Sequence, residues 1–436
     1  MLRLSLALIL AAALLCAPAL LPAPAWAQEV TAPSPILQMR AEDVAGVMRQ
    51  ERDASDVFGP QFLAEVPPEQ FAQIITQVTA QFGDFIGLER IEQTGTYSAT
   101  IYLRFENAIG SGPLTLDPTP PNKVAGLILS SFAPIDDDLA KVRADLAALP
   151  GSVSAYFGLL DRDSPGAVPA LAIDPYAPMA VGSTFKLYVL SALARSIASG
   201  ERSWGDVMPL DRRSFPSGKM HLWPEGSPVT LHTLAMQMVT ISDNTATDVL
   251  FHMLGREAVE AEMRASGHAT PEMMTPMLST LELFALKGSP GNRRKYLATD
   301  EAGKRFILAD FEDDVGGNPD EITPPRFSQP TAIDTIEWFA STRDLAGIMA
   351  RLVALDDPTA RQILAVAPVM PPSLVDDWAY VGYKGGSEPG VLNLTWVLQD
   401  RNGEWHLLSL SWNDPDAPLD HSKMELIAQR LVRLAP

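Results

Sequence analysis

The chain has 436 residues, of which 47% are hydrophobic and 20% are charged. This composition excludes a largely disordered protein, and the length allows two or three domains. The 33 basic residues are outnumbered by 53 acidic ones, which gives a formal charge of −20. Such a surface repels nucleic acid, so we exclude nucleic acid as a partner. The single cysteine and six scattered histidines support neither a disulfide framework nor a zinc site, and we expect no metal and no cofactor.

Residues 1–27 predict a cleaved export signal. Arg3 precedes an apolar stretch, and Ala25-Trp26-Ala27 places small residues where signal peptidase cleaves. Prolines within the stretch disfavour the alternative of an uncleaved membrane anchor. Lipid attachment at Cys16 is also disfavoured, because the preceding Leu15 is large. We therefore expect a periplasmic or secreted protein whose mature chain has no membrane span.

Residues 28–133 predict a small N-terminal α+β domain. Apolar residues at helical spacing predict a helix over residues 68–82. Short alternating runs predict the strands that follow, at residues 88–92, 97–105, 113–116 and 124–129. A helix followed by a run of strands is typical of an α+β unit. We interpret residues 131–135 as a short connection to the next domain.

Residues 134–436 predict a second, larger domain. Its N-terminal part predicts a helix over 137–149 and strands over 153–161 and 170–173, followed by a largely helical stretch over 184–265 and an irregular region. Its C-terminal part predicts strands over 379–384, 391–399 and 405–412 and a helix over 419–434. A sheet built from both ends of this segment, with a helical insert between them, leaves a cleft between sheet and helices.

Three short motifs in this domain contain residues suited to catalysis. Ser183-Thr184-Phe185-Lys186 begins a helix, on which a lysine three residues after a serine can approach its hydroxyl. Ser242-Asp243-Asn244 opens another helix, and Lys384-Gly385-Gly386-Ser387 follows at the end of a strand. Taken alone, each motif has a plain alternative, namely a helix cap or a glycine turn.

In this order, the three motifs resemble those of the penicillin-recognising serine enzymes, and the surrounding residues resemble class A β-lactamases. The resemblance covers roughly residues 136–436 and implies an α/β (α+β) fold, a three-layer sandwich with a helical lobe. The leading domain and residues 381–391 also resemble a two-domain serine-hydrolase-like group, related to a protein of clavulanic acid gene clusters and to mycobacterial lipoproteins. In that group the leading domain resembles a steroid-isomerase or cystatin fold.

The resemblance implies four catalytic residues. Ser183 is the nucleophile that becomes acylated, and Lys186 is its activating base or proton relay. Ser242 passes a proton to the leaving group. Lys384 is a second cation that helps to lower the pKa of Lys186 and attracts a substrate carboxylate.

The resemblance also implies three substrate-binding residues. Asn244 holds a substrate amide, and Gly386 and Ser387 belong to the strand that borders the substrate. The backbone N–H groups of Ser183 and Ser387 form an oxyanion hole. The expected partner is a small molecule with a carbonyl group and a carboxylate.

Two departures from the class A pattern bear on deacylation and substrate. No Glu-x-x-Leu-Asn string lies between Ser242 and Lys384 to supply the glutamate that activates water. Glu272 or Glu282 could substitute, but each is more simply a surface or capping carboxylate. Gly385 stands where the family has threonine, which removes a hydroxyl from the carboxylate pocket.

The acidic stretch over residues 310–321 lies in the same interval. It lacks the ligand spacing of a calcium loop, so we interpret it as a solvated loop.

The preferred hypothesis is a secreted serine hydrolase that forms an acyl-enzyme with an amide, ester or β-lactam. Esterase or amidase activity is favoured over efficient β-lactamase activity because the deacylating glutamate is missing. The alternatives are a true β-lactamase with an unusual deacylation loop and a non-catalytic binding protein with the same fold. A Ser-His-Asp hydrolase is disfavoured, since the chain has no Gly-x-Ser-x-Gly elbow.

Overall fold

The computed structural model describes residues 33–161, 168–324 and 328–434, so the predicted export signal lies outside it. Two mixed α/β units follow each other along these residues, and each contains a five-stranded sheet. A search of the same ranges for helices that are long and apolar enough to cross a membrane finds none.

The first unit combines helices with an antiparallel sheet. Its helices are α1 (Pro35–Met48), α2 (Ala54–Val57), α3 (Pro60–Glu65) and α4 (Pro68–Phe82). Its strands are β1 (Phe85–Gly95), β2 (Ser98–Phe105), β3 (Ala108–Leu116), β4 (Val124–Leu127) and β5 (Ser131–Pro134). The order in the sheet is β1-β2-β3-β4, and β5 pairs with another part of β3.

The predicted helix of this unit is confirmed, and the predicted connection is wrong. Helix α4 has the bounds that its apolar spacing predicts. The segment interpreted as a connection is instead strand β5, because it pairs with β3 and its Phe132 ring stacks on Phe82 at a centroid distance of 4.3 Å. A strand of four residues is too short for its alternation to be read from the sequence.

The second unit begins with α5 (Leu139–Ala147) and ends with α16 (His421–Arg433). The helices between them are α6 (Lys186–Ala198), α7 (Leu231–Thr240), α8 (Asn244–Leu254), α9 (Arg256–Ala265), α10 (Thr280–Gly288), α11 (Pro290–Leu297), α12 (Glu301–Val315), α13 (Thr342–Val353), α14 (Thr359–Ala365) and α15 (Pro372–Val375). The strands are β6 (Ser152–Leu159), β7 (Leu171–Ile173), β8 (Met179–Ala180), β9 (Val207–Pro209), β10 (Pro228–Thr230), β11 (Phe339–Ala340), β12 (Tyr380–Glu388), β13 (Val391–Gln399) and β14 (Trp405–Asn413).

The main sheet of the second unit has the order β12-β13-β14-β6-β7, with every neighbouring pair antiparallel. The sheet is therefore built from both ends of the segment, as predicted. One face packs against α5 and α16 through a cluster that includes Trp396 and Leu431. A larger apolar cluster, which includes Tyr188 and Phe251, fills the helical layers of the unit. These layers form the three-layer sandwich with a helical lobe that the resemblance implies.

Three expectations for this unit are wrong. Residues 266–378 are largely helical rather than irregular, since they contain α10 to α15. The first part of the acidic stretch at residues 310–321 is the end of α12, a helix that Asp300 caps, and not a loop. The predicted strand over 379–384 ends four residues too early, because the glycines of the Lys384 motif pair with β13 as regular strand residues and β12 continues to Glu388.

The last helix also contacts the first unit. Leu426 of α16 packs against the apolar core of the first unit. Arg433 donates hydrogen bonds to the carbonyl oxygen of Phe132, at 3.1 Å, and to Ser131 Oγ in β5. Helix α16 therefore lies between the main sheet and the N-terminal unit.

Candidate active site

Ser183 lies on a 3₁₀ turn, Gly182–Phe185, that runs directly into α6. Phe185 is fully buried and stacks on Trp338 at a centroid distance of 3.8 Å, which fixes the turn against the helical lobe. Ser183 itself is half-buried and lines the cleft between β12 and the helices. The turn thus presents one hydroxyl-bearing residue to the cleft at the start of a helix.

Lys186 is fully buried and is held by three hydrogen bonds. Its Nζ atom donates to the carbonyl oxygen of Ser242 at 2.6 Å, to Ser242 Oγ at 3.1 Å and to Asn244 Oδ1 at 2.6 Å. Burial holds the pKa of Lys186 well below its ordinary value, and the charge of Lys384 lowers it further. A neutral amine is therefore favoured at this position. It can donate to the two oxygens at 2.6 Å and accept a proton from the Ser242 hydroxyl at 3.1 Å.

Ser242 connects the two lysines of the site. Its backbone has φ of 57°, in the left-handed region, and its Oγ atom lies 3.1 Å from Nζ of Lys186 and 3.1 Å from Nζ of Lys384. Burial lowers the pKa of Lys384 from its ordinary 10.5 to about 7. The hydroxyl therefore forms a bridge along which a proton can move between two amines.

The neighbouring residues of the Ser242 motif orient the site. Asp243 caps α8 by accepting from the N–H of Ala246 at 2.9 Å, and its other oxygen accepts from the N–H groups of Lys219 and Met220. Asn244 donates from Nδ2 to the carbonyl oxygen of Phe215 at 3.0 Å. Asp243 thus holds the preceding loop in place, while the Asn244 amide joins that loop to Lys186.

Gly386 allows β12 to lie directly against the Ser183 turn. A Cβ atom on Gly386 would lie 2.1 Å from the carbonyl oxygen of Val181 and 2.5 Å from the backbone nitrogen of Ser183, distances that no side chain tolerates. A Cβ atom built on Gly182 would lie 3.2 Å from the backbone nitrogen of Ser387. The strand and the turn therefore bring the backbone nitrogens of Ser183 and Ser387 to the same region of the cleft.

Tyr383 occupies the space beside Gly385. A Cβ atom on Gly385 would lie 2.0 Å from the Tyr383 hydroxyl, so the threonine expected from the resemblance would not fit without movement of this ring. The ring packs on Trp396 at a centroid distance of 4.8 Å, and burial raises the pKa of the phenol. The residues that line this end of the cleft also include His421 and Glu425.

The structure brings all seven site residues predicted from the sequence to one place. Ser183, Ser242, Lys384, Gly386 and Ser387 line one cavity of about 290 Å³. Asn244 lines the adjoining part of the cleft, and Lys186 lies behind it with its amine on Ser242 and Asn244.

The two glutamates considered as substitutes for the deacylating base lie elsewhere. Glu282 is buried in a capping box at the start of α10 and pairs with Arg256 at 2.6 Å, so its capping role is confirmed although it is not on the surface. Glu272 is exposed on a 3₁₀ turn, Pro271–Met273. Neither residue is among those that line the cavities around Ser183.

Sequence reasoning missed a group of residues on the side of Ser183 that faces Asn244. Glu337, Trp338 and Glu388 line this part of the cleft, and Lys287 contacts both glutamates. Glu388 could have been noticed because it directly follows the Lys384 motif. Glu337 is a single acidic residue in a stretch without a motif, so no signal in the sequence pointed to it.

Comparisons with known proteins identify the family. Residues 138–393 match the model of the Beta-lactamase enzyme family. Similar solved structures include a β-lactamase from Sphaerobacter thermophilus, 20% identical, with a TM-score of 0.46 over 68% of this chain and 95% of that one. They also include PBP-A, 15% identical, with a TM-score of 0.43 over 67% of this chain and 94% of that one. A third is a β-lactamase from Francisella tularensis, 12% identical, with a TM-score of 0.47 over 67% of this chain and 97% of that one.

A search of curated proteins gives no match. The family match nevertheless extends over more than half of the chain. The chain therefore belongs to the Beta-lactamase enzyme family and is a β-lactamase-like serine hydrolase that acts on small molecules.

Proposed function

We propose that this protein is an exported serine hydrolase that forms an acyl-enzyme on Ser183 with a small ester, amide or β-lactam. The observation that carries the proposal is the position of Lys186. Its buried amine lies 3.1 Å from Ser242 Oγ, which also contacts Lys384, and both Ser242 and Lys384 line the same cavity as Ser183. Export to the periplasm or medium is proposed from residues 1–27 alone.

The proposed acylation step uses these residues, with Lys186 three positions after Ser183 on the turn that leads into α6. Neutral Lys186 takes the proton of Ser183 as Oγ attacks the substrate carbonyl carbon. The backbone N–H groups of Ser183 and Ser387 stabilise the oxyanion that develops. Ser242 then donates its proton to the leaving group and regains one from a neighbouring lysine, and the carbonyl–leaving-group bond breaks. Asn244 is available to hold the amide of the substrate.

The proposed substrate has a carboxylate directed toward Lys384. The Lys384 amine has only part of its hydrogen-bonding capacity left for such a carboxylate, because it already donates to Ser242 Oγ and to the carbonyl oxygen of Gly385. Glu425 also lines this end and would repel an anion. These features favour esterase or amidase activity over the efficient hydrolysis of anionic β-lactams.

The test uses purified protein with three probes: a p-nitrophenyl ester, a chromogenic cephalosporin and a labelled penicillin. We expect turnover of the ester and an adduct of the penicillin on Ser183 by mass spectrometry, both lost in Ser183→Ala. Rapid turnover of the cephalosporin would instead establish a true β-lactamase. Binding of a probe without any adduct or turnover would establish a non-catalytic binding protein.

The carboxylate and the export signal need separate measurements. A pair of esters that differ only in a free or methylated carboxylate tests the proposed contact with Lys384. We expect the free carboxylate to lower KM only modestly, because Glu425 opposes the attraction of Lys384, and a higher KM for the free acid would contradict the contact. Sequencing of the N-terminus of exported protein tests cleavage after Ala27. A mature protein that still begins before Ala27, or that stays in the cytoplasm, would contradict the export proposal.

A further inference from the structure

A buried ionic network lies beside the Ser183 turn. Lys287 of α10 donates from Nζ to Glu337 Oε1 at 2.6 Å and to Glu388 at the end of β12. The side chains of Lys287, Glu337 and Glu388 are 0%, 1% and 11% exposed. Such a network is costly to bury, because each ion loses its hydration.

Among the residues that the structure describes, the network pairs two carboxyl groups with one ammonium, that of Lys287. Burial, together with the charge of Glu337, raises the pKa of Glu388 to about 9, and the two carboxyl groups share a hydrogen bond. At neutral pH Glu388 therefore keeps its proton, which the two carboxyl groups share beside Lys287. A carboxyl pair that shares one proton can both accept and donate.

The pair is placed where it can contact a substrate. Glu337 and Glu388 line the same part of the cleft as Ser183 and Asn244. Glu388 directly follows Ser387, and Glu337 accepts from the N–H of Trp338 at 3.0 Å. Trp338 stacks on Phe185 of the Ser183 turn, so Glu337 is held beside that turn. Glu388 is held there through Ser387, the residue before it.

The geometry points to the Glu337–Glu388 pair as the group that activates water for deacylation, an inference that rests on the proposed acyl-enzyme at Ser183. A water molecule attacks the acyl carbon and forms a new C–O bond, while its proton passes to the ionised member of the pair. The bond between the acyl carbon and Ser183 Oγ breaks, and Oγ regains a proton from the Lys186–Ser242 network. The pair then releases its extra proton to solvent, and the Lys186–Ser242 network regains from solvent the proton that it gave to Oγ.

Another buried glutamate provides a matched comparison. Glu282 is 1% exposed and pairs with Arg256, but it is balanced by one cation and lies outside the Ser183 cavities. A network with a purely structural role would resemble this pair. The unbalanced carboxyl group, at the nucleophile, is what distinguishes the Glu337–Glu388 pair.

The test measures the two phases of ester hydrolysis in the full protein. Wild type gives a burst of p-nitrophenol, one equivalent per enzyme, if acylation precedes slower deacylation. In Glu337→Gln and Glu388→Gln we expect the burst to remain and the following steady rate to fall at least about 100-fold, the range for loss of a general base. Mass spectrometry should then find the acyl group retained on Ser183. The matched control, Glu282→Gln, should keep both phases.

Hydroxylamine separates a chemical role from a positioning role. It is a strong nucleophile that needs no general base, so it should release the acyl group from both glutamine variants at rates close to those in wild type. Unchanged deacylation in either folded variant would overturn the assignment, and so would loss of the burst together with deacylation. If wild type itself forms no adduct on Ser183, the proposed function fails instead, so the two failures are distinguishable. Glu388→Gln, at the more exposed position, is the second variant should Glu337→Gln not fold.

Discussion

We expect Lys384 to be required for activity and, at the same time, to destabilise the folded protein. Its amine is almost completely buried, and burial lowers its pKa from 10.5 to about 7. Folding must therefore remove a proton or bury a charge, both of which are unfavourable at neutral pH. We predict that Lys384→Met abolishes acylation and yet makes the fold more stable at pH 7.

The size of this effect follows from the pKa. A decrease from 10.5 to about 7 corresponds to roughly 5 kcal/mol of differential interaction, of which about 4 kcal/mol opposes folding at pH 7. Methionine removes this penalty but also removes hydrogen bonds to Ser242 Oγ and the carbonyl oxygen of Gly385, at a cost of about 2 kcal/mol. The net gain is about 2 kcal/mol, or a rise of about 4 °C in Tm.

The stability of the wild-type protein should rise with pH, and this direction can be tested. Between pH 7 and 10.5 the unfolded chain holds a proton on this lysine that the folded protein lacks, so wild-type stability rises with pH in that window. The penalty falls to about 2 kcal/mol, the value of the lost hydrogen bonds, near pH 9, so the advantage of Lys384→Met should disappear there and reverse by pH 10. Urea denaturation of both proteins at pH 7, 8.5 and 10 measures the difference directly.

Two results would refute this reasoning. A variant that is less stable than wild type at pH 7 would show that the lysine is stabilising in its present protonation state. A difference in stability that stays constant from pH 7 to 10 would show that the pKa of Lys384 is not shifted by burial. Lys423→Met, on the exposed side of α16, is the matched control and should change little at any pH.

Three further predictions concern the site and its surroundings. Gly386→Ala should slow acylation at least about 100-fold in single-turnover assays, because the new Cβ would separate β12 from the Ser183 turn and disrupt the oxyanion hole. The control Gly126→Ala, whose new Cβ would meet its nearest atom at 3.8 Å, should not slow acylation. Arg256→Met should lower the free energy of unfolding, measured by urea denaturation, by about 3–5 kcal/mol, because it leaves the Glu282 carboxylate buried without its cation. A decrease below about 1 kcal/mol, as expected for the exposed Arg90–Glu92 pair, would contradict this. His252→Gln should reduce the loss of stability between pH 6.5 and 4, because burial lowers the pKa of His252 to about 3 and only the unfolded chain takes up a proton in that range. Equal pH dependence of stability in the variant and the wild type would exclude this explanation.

Motifs and strong periodicity were sufficient to predict much of the fold and the location of the site. Helix α4 and strand β13 have the bounds predicted from apolar spacing and alternation. The three motifs that contain Ser183, Ser242 and Lys384 were found because local chemistry requires particular residues at short spacing. Their convergence in one cleft followed from the resemblance and not from any single motif.

The expectation of an irregular region between residues 266 and 378 is wrong, although the region contains many prolines, which usually interrupt helices. In the structure, Pro290 and Pro372 lie in the first turns of α11 and α15, where a missing N–H costs nothing. The sequence also contained two start signals that went unused. Ser279 and Ser341 each form a capping box with the acidic residue three positions later.

The Glu337–Glu388 pair shows what local patterns cannot predict. Its two carboxyl groups and the Lys287 ammonium come from an irregular segment, the end of a strand and a helix, and 101 residues separate Lys287 from Glu388. Contacts of this kind depend on tertiary packing, so no spacing rule connects them.

The position of α16 has a consequence for how the protein is made. This helix is the last element that the structure describes, and its Leu426 and Arg433 contact the core and β5 of the first unit. During synthesis the strands of the first unit can pair with one another, but the surface of α16 that contacts this unit is made only after both sheets have been synthesised. A chain shortened by a premature stop codon before α16 would present an uncovered apolar surface on both units, which is the feature that quality-control proteases and chaperones recognise.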